Sequence, residues 1–249
     1  MTVTDRAPRG GPATVLYSVY AWTIFTLLLT FALLGATLLP GLSVRRRWVS
    51  AFARWFFHVA GLRVEVQGAD RLPESSVIVV ANHASYLDGP LLQAFLPPRF
   101  GYVIKSEMQK VPLAGFMLRR IGSRFVERFS ASASARDARA LLRAASGGEA
   151  LGFFPEGTFN REPGLRRFRA GAFLTAVKAE VPTVPIAIRG SRTVLPAGTW
   201  LVRREPIVIE ILTAIPPDDD AYGNARELTQ VARQRVLDAL DEPDLLCDV

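Results

Sequence analysis

Apolar and polar positions change rhythm twice along the chain. From Gly10 to Val44 there is no charged residue, and Val15 to Leu39 is dominated by Leu, Phe, Val, Ala and Thr. A helix over those 25 residues would be roughly 37 Å long at about 1.5 Å per residue. That exceeds the roughly 30 Å hydrocarbon core of a bilayer. Pro40-Gly41 ends the run, and Arg45, Arg46 and Arg47 follow. The run is too long for the core of a secretory signal, and no small-residue cleavage site precedes the arginines, so it reads as a retained anchor. Next, Trp48, Phe52, Trp55, Phe56 and Val59 recur at helical spacing, with Ser50 and Arg54 turned away. This pattern predicts a second helix over 48–59 with an aromatic face, suited either to the headgroup level of a membrane or to covering a core.

From residue 62 the rhythm becomes that of short strands alternating with helices. Residues 63–68 alternate and end at Gly68, as a strand does before a turn. Val77 to Ala81 is a β-branched run, read as a buried strand. Residues 102–104, 124–126, 151–154, 184–188 and 207–212 are further strand candidates, and 91–96, 135–145, 170–179 and 226–240 are helix candidates. The alternation predicts an α/β domain with a mixed, partly parallel sheet flanked by helices. The expected organisation is an N-terminal membrane anchor over 1–61, a helix or helical hairpin, followed by a catalytic domain over 62–249 with an acidic, helical tail.

Composition narrows the chemistry. One cysteine, Cys247, excludes an internal disulfide framework and a cysteine zinc cluster; two histidines, His58 and His83, argue against a multi-histidine metal site. Charge is uneven. Residues 1–204 carry 27 basic and 12 acidic side chains, residues 205–249 carry 3 and 11. The basic part faces something anionic, and the tail reads as a solvated end. Nucleic acid lacks a motif here: there is no zinc finger, basic zipper or RNA-binding block. The arginine triplet sets the region after the anchor on the cytoplasmic side of a cell membrane. Arg6 and Arg9 weaken that asymmetry, so a hairpin dipping into one leaflet and a full span both fit.

Four blocks carry the candidate chemistry. Asn82-His83-Ala84-Ser85-Tyr86-Leu87-Asp88 follows a buried strand. His83 and Asp88 would lie about 140° apart on a continuous helix, so only a turn can join them. If joined, the carboxylate accepts Nδ1–H and leaves Nε2 as a base. Phe153-Phe154-Pro155-Glu156-Gly157-Thr158 offers a carboxylate, a backbone N–H and a hydroxyl at a strand end. Gly122 to Arg128 sets Arg124 and Arg128 around a strand, where an arginine can hold a phosphate bidentately. Val181 to Ile186 suggests packing. Alone, each block also reads as structure: a loop histidine with a capping aspartate, a Pro-Gly turn, a solvated basic face.

In this order and spacing, with Lys105-Ser106-Glu107 and Val111-Pro112-Leu113 between the first two, the blocks resemble the 1-acylglycerol-3-phosphate acyltransferase family of glycerolipid acyltransferases, over roughly residues 62–215. The resemblance implies that His83 is the general base and Asp88 its orienting partner. It implies transfer of a fatty acyl group from acyl-CoA or acyl-carrier protein to a lysophospholipid at the lipid bilayer, with no metal and no bound cofactor. Arg128, Glu156, Gly157 and Thr158 match positions linked to the acceptor's glycerol phosphate, with Lys105 and Arg124 as further candidates for the same anionic subsite. The family usually continues Glu-Gly-Thr with Arg-Ser; here Phe159 and Asn160 follow. That departure leaves the acyl-transfer centre intact and opens the acceptor to lysophosphatidic acid, another lysophospholipid, or a different lipid alcohol or amine. A thioester or ester hydrolase using the same histidine on water is the alternative chemistry, and a non-enzymatic membrane adaptor the alternative class.

Overall fold

The computed structural model describes residues 11–127 and 131–246, and of 131–133 the backbone alone. Arg6, Arg9, Arg128 and Cys247 lie outside the residues so described.

Two helices lead, α1 (Pro12–Leu38) and α2 (Leu42–Val59), folded back on each other at Pro40-Gly41. Gly41 stands at φ 76°, a turn conformation glycine adopts without strain. The helices touch through aromatic pairs, Phe25 with Phe56 at 5.3 Å and Phe31 with Phe52 at 6.0 Å. Near the turn the indole of Trp48 lies over Gly35, where an added Cβ would come within 2.0 Å of Nε1. Trp48 Nε1 donates to the Phe31 carbonyl at 3.0 Å. The α2 helix starts before the expected residue 48, so the arginine triplet is inside it. Arg46 is buried and donates to the carbonyls of Ile121 (2.8 Å) and Arg99 (2.7 Å).

The sheet has seven strands: β1 (Val64–Gln67), β2 (Ile78–Ala81), β3 (Gly101–Lys105), β4 (Arg124–Val126), β5 (Leu151–Phe153), β6 (Thr183–Arg189) and β7 (Ile207–Ile211). Their order is β1-β7-β6-β2-β5-β3-β4. Five neighbours, β6-β2-β5-β3-β4, run parallel; the β6–β7 pair is antiparallel, so the sheet is mixed as expected. Helices α3 (Asp88–Phe95), α4 (Ala114–Arg120), α5 (Ala131–Ser146), α6 (Gly171–Ala179), α7 (Ser191–Val194) and α8 (Ala225–Asp238) complete the chain.

Central β2 is fully buried because both its faces are covered. Val79 and Ala81 join Phe56, Phe57, Leu91 and Leu92 in one core, while Ile78 and Val80 join Phe173, Leu228 and Val236 in the other. The hairpin therefore shares an apolar core with the sheet. It is also tied down at both ends. Ser18 Oγ accepts from the Val202 N–H at 2.9 Å and Trp22 Nε1 donates to the Trp200 carbonyl at 2.7 Å. At the far end Arg120 donates to the carbonyls of Ala36 (2.7 Å) and Thr37 (2.9 Å).

The acidic tail is not the solvated end its charge suggested. Glu242 pairs with Arg192 at 2.8 Å and Asp244 pairs with Arg233. The tail backbone adds a strand-like pairing to the segment after β5: Leu165 N–H donates to Pro243 O at 2.9 Å and Leu245 N–H to Leu165 O at 3.2 Å. Both arginines also donate to main-chain carbonyls, so each tail carboxylate meets a guanidinium already held in place.

Candidate active site

The parallel strands deliver their carboxyl ends to one edge of the sheet, where sites form in α/β folds. Strand β2 ends at Ala81, and Asn82 clamps the following turn to β6: its Nδ2 donates to Ile188 O at 2.9 Å and its Oδ1 accepts from Ile188 N–H at 2.7 Å. The turn then winds back into α3, whose first residue is Asp88. A carboxylate there also meets the positive end of the helix dipole.

This winding brings together the two residues a helix would keep apart. His83 Nδ1 lies 2.9 Å from Asp88 Oδ2. The same oxygen accepts from the backbone N–H groups of Ala84 (2.6 Å) and Ser85 (2.8 Å), and Asp88 is fully buried. A carboxylate acceptor fixes the hydrogen on Nδ1 and leaves Nε2 as the lone-pair nitrogen. The Ser85 hydroxyl donates to Leu195 O at 2.8 Å, so it holds the turn.

Strand β5 delivers the second block. Glu156 is buried and its two oxygens go to main chain: Oε1 accepts from His83 N–H at 2.7 Å, Oε2 from Arg166 N–H at 3.1 Å. Burial pushes its carboxyl above the ordinary range, and these two donors pull it partly back. Glu156 thus positions the backbone of His83 instead of facing a ligand. Gly157, at φ 78°, turns the chain, and its N–H donates to Phe154 O at 3.0 Å. Of the three groups expected at this strand end, the carboxylate and the N–H are engaged; Thr158 is exposed on the wall of the cleft.

Three aromatic residues complete the surroundings of His83, and sequence reasoning had not placed them in the site. Phe154 stacks on the imidazole at 4.3 Å and 20°, and Phe159 lies over it at 4.5 Å. Tyr86 meets Phe159 edge-on at 4.8 Å. The signals were available in part: Phe154 abuts Pro155-Glu156, and Phe159 is the departure noted above.

A cavity of about 620 Å³ opens beside His83 and extends under the hairpin. Its wall is apolar: Phe25, Leu28, Phe52 and Phe56 from α1 and α2, Tyr102 from β3, Met117 and Leu118 from α4. Lys105, at the carboxyl end of β3, is the one charged side chain among the described residues of that wall. Arg124 is elsewhere. It opens β4 in register with Val103 of β3, and its Nε donates to Glu149, just before β5, at 3.2 Å. Its guanidinium is thus engaged with a carboxylate, and Arg124 is not among the residues that line the cavity. Arg128 falls outside the described residues. Among those residues no group of three or more His, Cys, Asp or Glu could hold a metal.

Comparisons with known proteins agree with this geometry. The family model for Acyltransferase matches residues 63–189, just over half the chain. The chain is 29% identical over 204 residues to the 1-acyl-sn-glycerol-3-phosphate acyltransferase of Saccharomyces cerevisiae, covering 79% of this chain and 66% of the yeast protein. It is 32% identical over 179 residues to the lyso-ornithine lipid O-acyltransferase of Pseudomonas aeruginosa, covering 68% of each. The crystal structure of the 1-acyl-sn-glycerophosphate acyltransferase of Thermotoga maritima superposes with a TM-score of 0.75 at 24% identity, over 91% of this chain and 94% of that one, and establishes the shared fold. A matched span that contains the His83–Asp88 pair and all but one of the parallel strand ends places this chain in the acyltransferase family, the family that holds the 1-acyl-sn-glycerol-3-phosphate acyltransferases.

Proposed function

We propose that this protein is a membrane-bound O-acyltransferase that moves a fatty acyl group from an acyl thioester, carried by coenzyme A or acyl-carrier protein, to the hydroxyl of a lysophospholipid, with 1-acylglycerol-3-phosphate as the first acceptor. One observation carries the reading: the Asp88-oriented imidazole of His83 stands at the mouth of a large apolar cavity. Nε2 takes the acceptor's hydroxyl proton as its oxygen attacks the thioester carbonyl. The tetrahedral intermediate collapses, the C–S bond breaks, and the departing thiolate takes the proton from the imidazolium. Asp88 stabilises that imidazolium. A positioned base contributes roughly 10²–10⁴ in rate, and holding two substrates in register contributes more.

Phe154 and Phe159, both against the imidazole, favour transfer over hydrolysis, because apolar rings there reduce the room for water at the base. Lys105 suits a phosphate at the cavity wall. A second reading of the acceptor comes from Phe159, which brings an apolar ring to a position where the family usually has arginine. A lysolipid whose hydroxyl is flanked by fewer anionic groups fits that ring; the Pseudomonas relative is named for such a lipid.

Membrane attachment rests on α1. Its outward face presents Leu16, Val19, Leu27, Phe31, Leu34 and Leu38. The hydroxyls of Thr23, Thr26, Thr30 and Thr37 each donate four residues back to their own helix, at 2.8 to 2.9 Å, which removes their need for water. Because the domain bonds α1 at Ser18 and again at Ala36, the helix lies along the domain, and we infer a hairpin set in one leaflet from the cytoplasmic side.

The test is mass spectrometry of product lipids with palmitoyl-CoA and a panel of lysolipids in vesicles. Acylated lipid is expected, and His83→Ala should lower its formation by about 10²–10⁴ without loss of folding. Free fatty acid as the sole product would sink the transferase reading.

A further inference from the structure

The segment between β3 and α4 forms part of the cavity wall yet departs from ordinary chain behaviour. Val111, Leu113 and Phe116 are exposed, Leu113 by 62%. Leu113 stands at φ 53°, ψ −55°, on the left-handed side where a branched side chain is strained. The Ala114 N–H donates to Pro112 O, so Leu113 is the centre of a three-residue γ-turn of the rare, strained hand. The turn is braced. Gly115 N–H donates to Val111 O and Met117 N–H to Leu113 O, both at 2.8 Å. Gly115 lies so close to the Met108 and Gln109 carbonyls that a Cβ would meet them at 2.8 and 2.6 Å. Strain of this kind persists only where the surroundings impose it, and it concentrates at working parts of a protein. Here its effect is to hold a leucine outward.

The turn's position says what it faces. Pro112 and Leu113 line the same cavity as His83. Helix α4, which the turn begins, packs Met117 against Ala32 and Ala36 of α1, so the exposed leucine adjoins the apolar hairpin. Lys110 and Arg119 flank it, both exposed. An apolar tip with a cation on each side of it in the chain matches the border between acyl chains and anionic headgroups.

We propose that the Val111–Phe116 turn is a lipid-inserting finger: it enters the bilayer beside the hairpin and opens the cavity sideways to the lipid phase, so that an acyl chain reaches His83 past Leu113 without crossing water. The finger rests on the membrane reading above, and the experiment separates the two. In full-length protein carrying Cys247→Ser, an environment-sensitive fluorophore is attached to Leu113→Cys, to Phe31→Cys on α1, or to Glu227→Cys on α8. Vesicles of phosphatidylcholine and phosphatidylglycerol are then added. Blue-shifted emission is expected at 113 and 31 and not at 227. A shift at 31 with none at 113 overturns the finger and keeps the membrane reading. No shift at either removes both. A shift at 113 that grows with protein concentration before vesicles are added assigns the turn to self-association and overturns the finger. As a second measure, Leu113→Asp should slow turnover of palmitoyl-CoA in vesicles by about tenfold and that of butyryl-CoA by much less; equal losses on both donors would refute a lipid-side route.

Discussion

Glu156 shows how a single buried carboxylate can govern a base it does not touch. It holds the main chain on either side of the cleft, His83 on one oxygen and Arg166 on the other. Glu156→Gln keeps one acceptor and replaces the other with a donor, leaving a buried N–H unpaired at a cost of about 1–3 kcal/mol. The expected result is a lower kcat with little change in KM. The charge also sets a pH signature. The folded carboxyl takes up its proton at higher pH than the unfolded one, since burial raises it. Between those two values the folded state binds more protons, so stability falls as pH rises. The unfolding free energy of the wild type should fall as pH rises through that window, a dependence that Glu156→Gln, with no carboxyl there, should lack. A pH series of denaturant titrations measures this, and a slope of opposite sign would show that the fold lowers the carboxyl's proton affinity instead of raising it. Phe159 acts on the imidazole directly, 4.5 Å from it. Phe159→Ala should raise the ratio of fatty acid to acylated lipid, by about fivefold if the ring contributes on the order of 1 kcal/mol. Phe159→Arg should lower KM for a phosphorylated acceptor relative to an unphosphorylated one. Both are read in a two-acceptor competition assay. The His83–Asp88 pairing was legible in the sequence because five residues after a buried strand can only meet through a turn. The use of Glu156 was not, because a carboxylate satisfied by backbone N–H groups looks the same in sequence as one facing a ligand.

At the level of elements, the hairpin depends on one small residue. Gly35 is the notch that admits Trp48, and an added side chain there would strike the indole. Gly35→Val should separate α1 from α2 near their turn, costing about 1–3 kcal/mol as an overpacked contact does. Because Ala32 and Val49 line the cavity near that contact, the variant should also lose its discrimination between long and short acyl donors, measured as the ratio of kcat/KM for each. The helices themselves were readable from periodicity and the absence of charge. Their attachment was not: the bonds from Trp22 to Trp200 and from Arg120 to Ala36 join segments far apart in sequence. The partner of Arg124 was hidden in the same way, because Glu149 follows it only after the whole of α5.

For the molecule as a whole, the tail and the catalytic turn form one connected set of bonds. Arg233 reaches Asp244 and also donates to the carbonyls of Leu165 (2.8 Å) and Arg166 (3.0 Å), and Arg166 N–H holds Glu156. Arg233→Ala should lower the melting temperature by several degrees for a loss of about 1–3 kcal/mol. It should reduce kcat more than it raises KM for the acyl donor, since the route runs through the base. Thermal melts and initial rates check both. The mixed, partly parallel sheet followed from the alternation of short strands with helices, but the order of its strands did not, and the tail's role was masked by its net charge, which suggests water more readily than arginine partners.

That arrangement ties the base to a remote part of the chain. Residues 242–245 pin the segment around Leu165 that leads into the bond on Glu156. A cut anywhere between α8 and Glu242 would therefore leave both cores and the His83–Asp88 turn in place and still loosen the backbone that aims the imidazole.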